Sequence, residues 1–415
     1  MSLISVVSAT FSGAEKILEG VLERTGFSSV DDAALAVRAA ERSGMSEAVI
    51  AKAFSARPSV FNSFTRDRER ALAHLKVEVA EAITRDETVV SGFCALLVPA
   101  AVSHALRVCL VADLRSRLEM ARSRAGLSDK AANREIRRHD EDLAAWAKDH
   151  RGSDDPWASD LYDIVLPTDK TPAPDAVALI VESLGRQAVQ PTEASRRAVE
   201  DFLVAARVER ELAAAGHHVD VACSRGHVTL TINKHVLMLG RLEDELKEIA
   251  GPVEGVHGVE TRVGRDFYQT DIYRKVDFET PSRVLLVDDE REFVQTLSER
   301  LEMRDVGSAV AYDGESALQM VEQDEPDVMI LDLKMPGIDG IEVLRRVKDT
   351  NPHVEVIILT GHGSDEDCKT CMELGAFAYL QKPVDIEALS ETLRKANEKA
   401  KESGRLRPRK DDRRS

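Results

Sequence analysis

VLLVDDE, at residues 284–290, places two aspartates, Asp288 and Asp289, directly after a short apolar run. Such a run is typical of a strand that is buried on both faces of a parallel sheet. Three similar runs, VMIL, VIIL and AYL, come shortly before Asp332, Thr360 and Lys382. Parallel strands bring their carboxyl ends to one edge of the sheet, so we expect these five side chains to converge there.

These residue types suit phosphoryl chemistry. The carboxylates of Asp288, Asp289 and Asp332 offer the oxygen ligands that Mg2+ prefers. A bound cation would neutralise an incoming phosphoryl group, and Asp332 is predicted to attack that group as the nucleophile. Lys382 would balance the added charge, while the Thr360 hydroxyl would bond a phosphoryl oxygen. We therefore predict a Mg2+ and phosphate site in the last third of the chain.

The spacing of the apolar runs indicates alternating strands and helices. Strands are predicted at 283–287, 308–311, 327–331, 355–359 and 378–381, with helices in the gaps. This pattern predicts an α/β domain with a flavodoxin-like, doubly wound, five-stranded parallel sheet over residues 282–400.

Four stretches resemble the receiver domain of two-component response regulators: VLLVDDE (284–290), DLKMPGIDG (332–340), LTGHG (359–363) and GAFAYLQKP (375–383). The resemblance implies phosphorylation of Asp332 by a sensor histidine kinase or a phosphotransfer protein. It also implies that Thr360 and Tyr379 form a switch pair, and that the backbone carbonyl of Lys334 is a further metal ligand. A downstream protein partner would then bind the face around the fourth and fifth strands.

The N-terminal segment contains a phosphate-loop-like sequence. SATFSGAEK (8–16) lies between a predicted strand, LISVVSA, and a predicted helix. A working P-loop needs Lys directly after its second Gly, whereas Ala14 and Glu15 separate Gly13 from Lys16. Glu15 would also repel phosphate at the helix N-terminus. As a phosphate-binding motif this loop is weak.

Its wider context resembles the cytidylate-kinase-like family of P-loop proteins. The matching stretches are VVSATFSGAEKI (6–17), residues 106–142 and LYDIVLPTDK (161–170). The resemblance implies a P-loop-kinase-like α/β domain over residues 1–190, with a nucleotide site at Ser12, Gly13, Lys16 and Arg117. Leu143-Ala144-Ala145 stand where the family tends to carry arginine, so we predict a degenerate, non-catalytic kinase fold. His139, Asp140 and His150 could suggest acid-base chemistry, but we interpret the charged run at 134–146 (REIRRHDEDLAAW) as a solvated helix face.

Residues 195–265 form a third, smaller unit. A helix at 198–214, the strand HVTLTI (227–232) and the segment at 251–263 resemble a BON domain, a small α+β module often linked to membrane or ligand attachment. A polar stretch, residues 265–281, connects this module to the receiver. Residues 401–415 are predicted to be a basic, disordered tail.

Composition sets the outer limits. The 415 residues favour two to four domains. A net charge of −17 disfavours a nucleic-acid partner or an acidic membrane surface. Five scattered cysteines fit a reducing cytoplasm better than a disulfide framework. Nothing approaches the roughly 20 apolar residues of a membrane span.

Together these features predict a cytoplasmic response regulator of a phosphorelay. Only a short tail follows the receiver, so we expect output through protein contacts and not through DNA, with a homodimer through the receiver as a further expectation. One alternative is a nucleoside monophosphate kinase gated by the receiver. Another is a scaffold that binds a lipid or small ligand through the BON-like module.

Overall fold

The computed structural model describes residues 3–57, 59–233, 239–264, 267, 283–302, 306–361 and 364–405. The described chain divides into two compact units. The first contains residues 3–57 and 67–267, and the second contains residues 59–66 and 283–405. Both predicted N-terminal domains therefore lie in one unit.

The described residues form thirteen strands, eight in the first unit and five in the second. They are β1 (Leu3–Ser8), β2 (Ser28–Val30), β3 (Thr88–Ser91), β4 (Ala105–Val111), β5 (Ile164–Pro167), β6 (Asp220–Ser224), β7 (His227–Ile232), β8 (Gly258–Val263), β9 (Val284–Val287), β10 (Ser308–Ala311), β11 (Val328–Leu331), β12 (Glu355–Thr360) and β13 (Ala378–Gln381).

The α-helices are numbered in the same way, and α4 and α11–α15 belong to the second unit. They are α1 (Ala14–Thr25), α2 (Asp32–Ser43), α3 (Glu47–Lys52), α4 (Asn62–Thr65), α5 (Asp67–Ile83), α6 (Leu114–Ala125), α7 (Asp129–Arg151), α8 (Ala173–Leu184), α9 (Glu193–Ala214), α10 (Leu239–Ala250), α11 (Arg291–Glu302), α12 (Gly314–Gln323), α13 (Gly340–Thr350), α14 (Asp365–Glu373) and α15 (Ile386–Arg405).

The larger sheet of the first unit is parallel, in the order β2-β3-β1-β4-β5. It confirms the α/β prediction for the N-terminal domain. The sequence did not predict β2, whose Ser28 and Ser29 are exposed and carry no apolar pattern. The predicted strand at 161–166 begins later, at Ile164, because Ser159–Leu161 forms a 3-10 turn.

The smaller sheet of the first unit has the order β6-β7-β8, with an antiparallel and a parallel pair. Its inner face packs on α9 and α10 around Val228, Leu230 and Leu246. Helix α9 also packs against α5, where Ala80 and Ala206 are fully buried. The predicted α+β module therefore shares its long helix with the kinase-like part of the same unit.

The second unit is a doubly wound parallel sheet in the order β10-β9-β11-β12-β13. Helices α11 and α15 cover one face, and α12, α13 and α14 cover the other. The interior strand β9 is buried along its whole length, as its VLLV sequence predicts. Phe61, from residues 59–66, is fully buried on the α12–α14 side.

The second unit's last helix extends further than expected. Helix α15 ends at Arg405, so residues 401–405 are helical, not part of a disordered tail. Lys401 and Glu402 continue a run of good helix formers from the preceding turns of α15. Residues 406–415 lie outside the described residues, and so does the predicted connector at 265–281 except for Phe267. Within the described ranges, none of the helices combines the length and apolar character that a membrane crossing requires.

Unfolding of the first unit should depend on the protonation of His150. Burial lowers the pKa of His150 from 6.5 to about 4, so the folded unit keeps this imidazole neutral. Its contribution to the free energy of unfolding is complete above pH 6.5 and is lost as the pH falls toward 4. In the His150→Gln variant, the free energy of unfolding should therefore change less steeply with pH. The difference in slope from wild type should be at most about 1.4 kcal/mol per pH unit.

Urea unfolding at a series of pH values measures this effect. Both tryptophans lie in the first unit, and the Trp146 ring centroid is 4.3 Å from that of His150, so fluorescence reports on this region. The readout is the slope of the unfolding free energy against pH, which is separate from any constant loss of packing. Equal slopes for wild type and variant would contradict the prediction.

Candidate functional site

The register of the receiver sheet brings the predicted acidic residues together. In the parallel pair β9–β11, Val287 lies opposite Leu331, so the next residues, Asp288 and Asp332, emerge side by side. The Asp332 backbone N–H donates to the Val287 carbonyl at 2.9 Å. On the other side of β9, the Asp288 N–H donates to Ala311 at 3.1 Å. Both backbone positions are thus fixed by the sheet.

Three carboxylates form the centre of the site. Asp288, Asp289 and Asp332 each offer an oxygen atom, and these atoms lie within 4.8 Å of one another. Asp288 and Asp332 are buried, whereas Asp289 is exposed. Oδ1 of Asp332 is buried without a hydrogen-bond partner in the described chain. An oxygen-only cluster with an orphaned carboxylate oxygen fits a hard cation such as Mg2+.

Lys382 supplies positive charge beside these carboxylates. Its Nζ lies 2.6 Å from Oδ2 of Asp288, and its backbone N–H donates to the Thr360 carbonyl at 2.9 Å. Burial alone would lower the pKa of Lys382, but the bond and charge of Asp288, together with Asp332 and Glu290, outweigh it and raise that pKa. Burial also raises the pKa of Asp288, against the opposing effect of Lys382. The site is an electrostatically coupled cluster at the carboxyl edge of the sheet.

Thr360 lies at the same edge, whereas Tyr379 lies within β13, opposite Ile358 of β12. Thr360 ends β12 and is fully buried. Tyr379 on β13 packs its ring against the core below α14, and its hydroxyl is buried without a hydrogen-bond partner in the described chain. The Lys334 side chain is exposed, and the role of its carbonyl stays a prediction. A Cβ on Gly340 would lie 2.1 Å from the Asp332 carbonyl oxygen, so this close approach requires glycine.

The phosphate-loop-like segment of the first unit has a different character. Gly13 is the N-cap of α1 with φ of 77°, and no side chain caps this helix. Ser12 is buried, and its hydroxyl has no hydrogen-bond partner in the described chain. Lys16 is exposed, while Glu15 lies 3.3 Å from Arg124 in an ion pair. Whether this loop binds phosphate stays a prediction.

The Arg117 guanidinium is fully engaged in hydrogen bonds within the protein. Its two terminal nitrogens donate to both carboxylate oxygens of Asp140 at 2.8 Å, and its Nε donates to the Thr10 carbonyl at 2.8 Å. Burial alone would raise the pKa of Asp140, but hydrogen bonds from His139 and Arg117 hold it below its usual value. All three side-chain nitrogens of Arg117 are therefore bonded within the protein, and they connect the loop at Thr10 to Asp140 on α7.

A cavity of about 730 Å³ lies beside this loop. Thr10 is one of the residues that line the cavity. The lining also includes two phenylalanine rings and three cations: Phe54, Phe93, Lys130, Arg134 and Arg138. Within the run at 134–146, Arg134 and Arg138 are exposed, as predicted for a solvated face, and they also line this cavity. The charge of this run is visible in the sequence, but the opposing aromatic rings come from distant segments.

Two protein families match this chain. The response regulator receiver domain matches residues 284–394, and the cytidylate kinase-like family matches residues 4–170. Sporulation initiation phosphotransferase F of Bacillus subtilis (strain 168) is 34% identical over 113 residues, which are 27% of this chain and 91% of that protein. The chain belongs to the response regulator receiver domain family.

The receiver domain also resembles response regulator MprA of Mycobacterium avium (strain 104), with 35% identity over 112 residues. Those residues are 27% of this chain and 49% of MprA, so the chain spans about half of that relative. A crystal structure of a response regulator receiver domain protein from Clostridium thermocellum is 35% identical, covering 29% of this chain and 97% of that chain with a TM-score of 0.28. The family matches confirm the predicted receiver and kinase-like domains. The BON-like resemblance stays a prediction.

Removing Asp140 should destabilise the first unit. The Arg117 side chain is 7% exposed and that of Asp140 is 31% exposed. Asp140→Ala would leave a buried guanidinium without its carboxylate, and we expect a loss of about 2–3 kcal/mol, somewhat below that of a fully buried pair. Glu119→Ala, which breaks an exposed ion pair with Arg115 on α6, should cost less than about 0.5 kcal/mol. Urea unfolding curves that rank the two variants equally would contradict this.

Proposed function

We propose that the receiver domain accepts a phosphoryl group on Asp332 from a sensor histidine kinase or a phosphotransfer protein. The observation that supports this most directly is the meeting of three carboxylates, with oxygens within 4.8 Å, beside the Lys382 ammonium. A curated relative carries phosphotransferase in its name, which agrees with a place in a phosphoryl relay.

The reaction needs a nucleophile and charge compensation. An oxygen of Asp332 forms the new bond to phosphorus, while the bond from phosphorus to the donor breaks and the donor leaves with the electron pair. Mg2+, held by Asp288, Asp289, Asp332 and the Lys334 carbonyl, would supply charge that offsets the phosphoryl oxygens. Lys382 offsets the added negative charge, and the Thr360 hydroxyl bonds a phosphoryl oxygen.

The output of this switch is proposed to pass through protein contacts. Thr360 ends β12 and Tyr379 lies on β13, so rearrangement of these two side chains would alter the surface around both strands. A downstream protein, or a second receiver in a homodimer, would bind the altered surface. The net charge of −17 favours a protein partner over DNA, and we place the relay in the cytoplasm.

Labelling with acetyl phosphate and Mg2+ tests the proposal. Intact-mass measurement should show one added phosphoryl group on wild type and none on Asp332→Asn, because an amide does not replace the attacking carboxylate. Asp349→Asn removes an exposed carboxylate of α13 outside this cluster and should label like wild type. Labelling of Asp332→Asn at the wild-type level would refute Asp332 as the acceptor.

A second candidate function concerns the cavity of the first unit. About 730 Å³ is enough for a nucleotide. Phe54 and Phe93 offer apolar faces for a planar base, and the cations Lys130, Arg134 and Arg138 offer charge for phosphate. The family match over residues 4–170 points to the same ligand class. We propose that this cavity binds a nucleoside monophosphate.

Turnover is not proposed for this cavity. Arg117 is engaged by Asp140 and Thr10, which leaves it poorly placed to clamp a transferring phosphoryl group. Lys16 is exposed at a helix start that also carries Glu15. The first unit would then act as a nucleotide-responsive binding domain, and the receiver-gated kinase is the alternative.

CMP binding should be visible in tryptophan fluorescence. Trp146 lies against Phe54 and Phe93, with ring centroids 5.2 and 6.2 Å apart. Arg134→Ala should weaken CMP binding about tenfold or more, as expected for loss of a charge-assisted hydrogen bond. Lys148 lies on the same helix as Arg134, and Lys148→Ala, which breaks an exposed pair with Asp154 beyond the end of that helix, should leave binding unchanged. Formation of CDP from CMP and ATP, lost on Lys16→Ala, would instead establish the kinase alternative.

A further inference from the structure

The Lys382 ammonium also contacts two residues outside the carboxylate cluster. Besides Asp288, it lies 3.2 Å from Oε1 of Glu290 and 4.3 Å from the centroid of the Phe293 ring. Glu290 belongs to the loop after β9, and Phe293 lies in the first turn of α11. The Lys382 side chain is 12% exposed, whereas that of Glu290 is 67% exposed. A carboxylate and an aromatic face thus enclose the ammonium on the side of α11.

We propose that Glu290 and Phe293 are positioning residues that hold Lys382 and set the rate at which Asp332 takes up a phosphoryl group. This inference rests on the proposed function of Asp332. We call the pair Glu290 and Phe293 the lysine seat. The seat and a phosphoryl group would compete for the same ammonium, because a lysine offers one compact charge on a flexible stem.

The competition has a physical basis in the contacts. Hydrogen bonds from Lys382 reach Asp288 and Glu290, while Oδ1 of Asp332 has no hydrogen-bond partner in the described chain. To meet a phosphoryl oxygen on Asp332, the ammonium must leave Glu290 and the face of Phe293. Weakening the seat should therefore favour the transition state for uptake. Because Glu290 is mostly exposed, its effect should be modest.

Three variants separate the seat from a general effect of charge. Glu290→Gln removes the carboxylate charge but keeps the side-chain size, and Phe293→Leu removes the aromatic face without changing any charge. We expect each to raise the rate of labelling by acetyl phosphate about two- to fivefold, the range that a weak surface contact supports. Glu292→Gln makes the same charge change at an exposed neighbour with no side-chain contact to Lys382, and should label at the wild-type rate.

A second measurement detects the seat without phosphorylation. A proton above an aromatic face is shifted upfield by the ring current, so the ε-methylene protons of Lys382 should resonate upfield in the full-length protein. NMR spectra of 13C-labelled lysines should show this shift lost in Phe293→Leu, reduced in Glu290→Gln and unchanged in Glu292→Gln. The assignment comes from the resonance missing in Lys382→Arg.

The outcomes separate this inference from the proposed function. Equal labelling rates in wild type, Glu290→Gln and Phe293→Leu overturn the seat while leaving Asp332 as the acceptor. Equal acceleration by Glu290→Gln and Glu292→Gln, with Phe293→Leu unchanged, also overturns it, because charge alone would then explain the effect. Absence of the upfield shift in wild type overturns it directly. No labelling of wild type refutes the proposed function, and the seat's rate-setting role with it.

Discussion

The parallel pairing of β9 with β11 is the constraint on which the receiver site depends. Because Val287 lies opposite Leu331, the aspartates that follow each strand emerge as neighbours at one edge. The two strands are buried throughout, so a shift in register would cost the burial of both faces. Thr360 and Lys382 join the same edge through the backbone bond between them. The acidic cluster is therefore held by the hydrophobic core, although mutual repulsion would separate its carboxylates.

The same constraint explains why so much of this unit could be predicted from its sequence. Strands buried on both faces appear as uninterrupted apolar runs, and the strands at 308–311 and 378–381 have the predicted bounds. Contacts between side chains that follow different strands leave no such signal. The contact of Lys382 with Glu290 joins residues 92 positions apart, and no local pattern encodes it. The sequence did not predict strand β2 for a related reason. Its three residues carry no strand pattern, and only pairing with β3 makes them a strand.

In the first unit, partly buried hydrogen bonds between residues far apart in the sequence fix the local structure around Asp32 and Gly92. Asp32 is the first residue of α2, and its carboxylate accepts hydrogen bonds from the backbone N–H groups of Phe93 and Cys94 at 2.7 and 2.8 Å. A Cβ on Gly92 would lie 2.0 Å from an oxygen of Asp32, so the approach depends on glycine. Helix α9 joins the kinase-like part to the smaller sheet in a comparable way. These contacts are invisible in composition and periodicity, so the sequence does not reveal that the two parts lie in one compact unit.

Arg117 and Lys382 show how pairing determines whether a cation remains available for chemistry. The planar guanidinium of Arg117 matches both oxygens of Asp140 and a carbonyl of the loop, with three bonds of 2.8 Å. Breaking these bonds would leave buried polar groups unpaired, so Arg117 has a structural role. Lys382 is a point charge whose contact with Glu290 lies at the surface, where an ion pair is weak. The receiver thus keeps a cation whose contact with Glu290 can be broken at low cost, while the kinase-like unit has fixed its arginine in place.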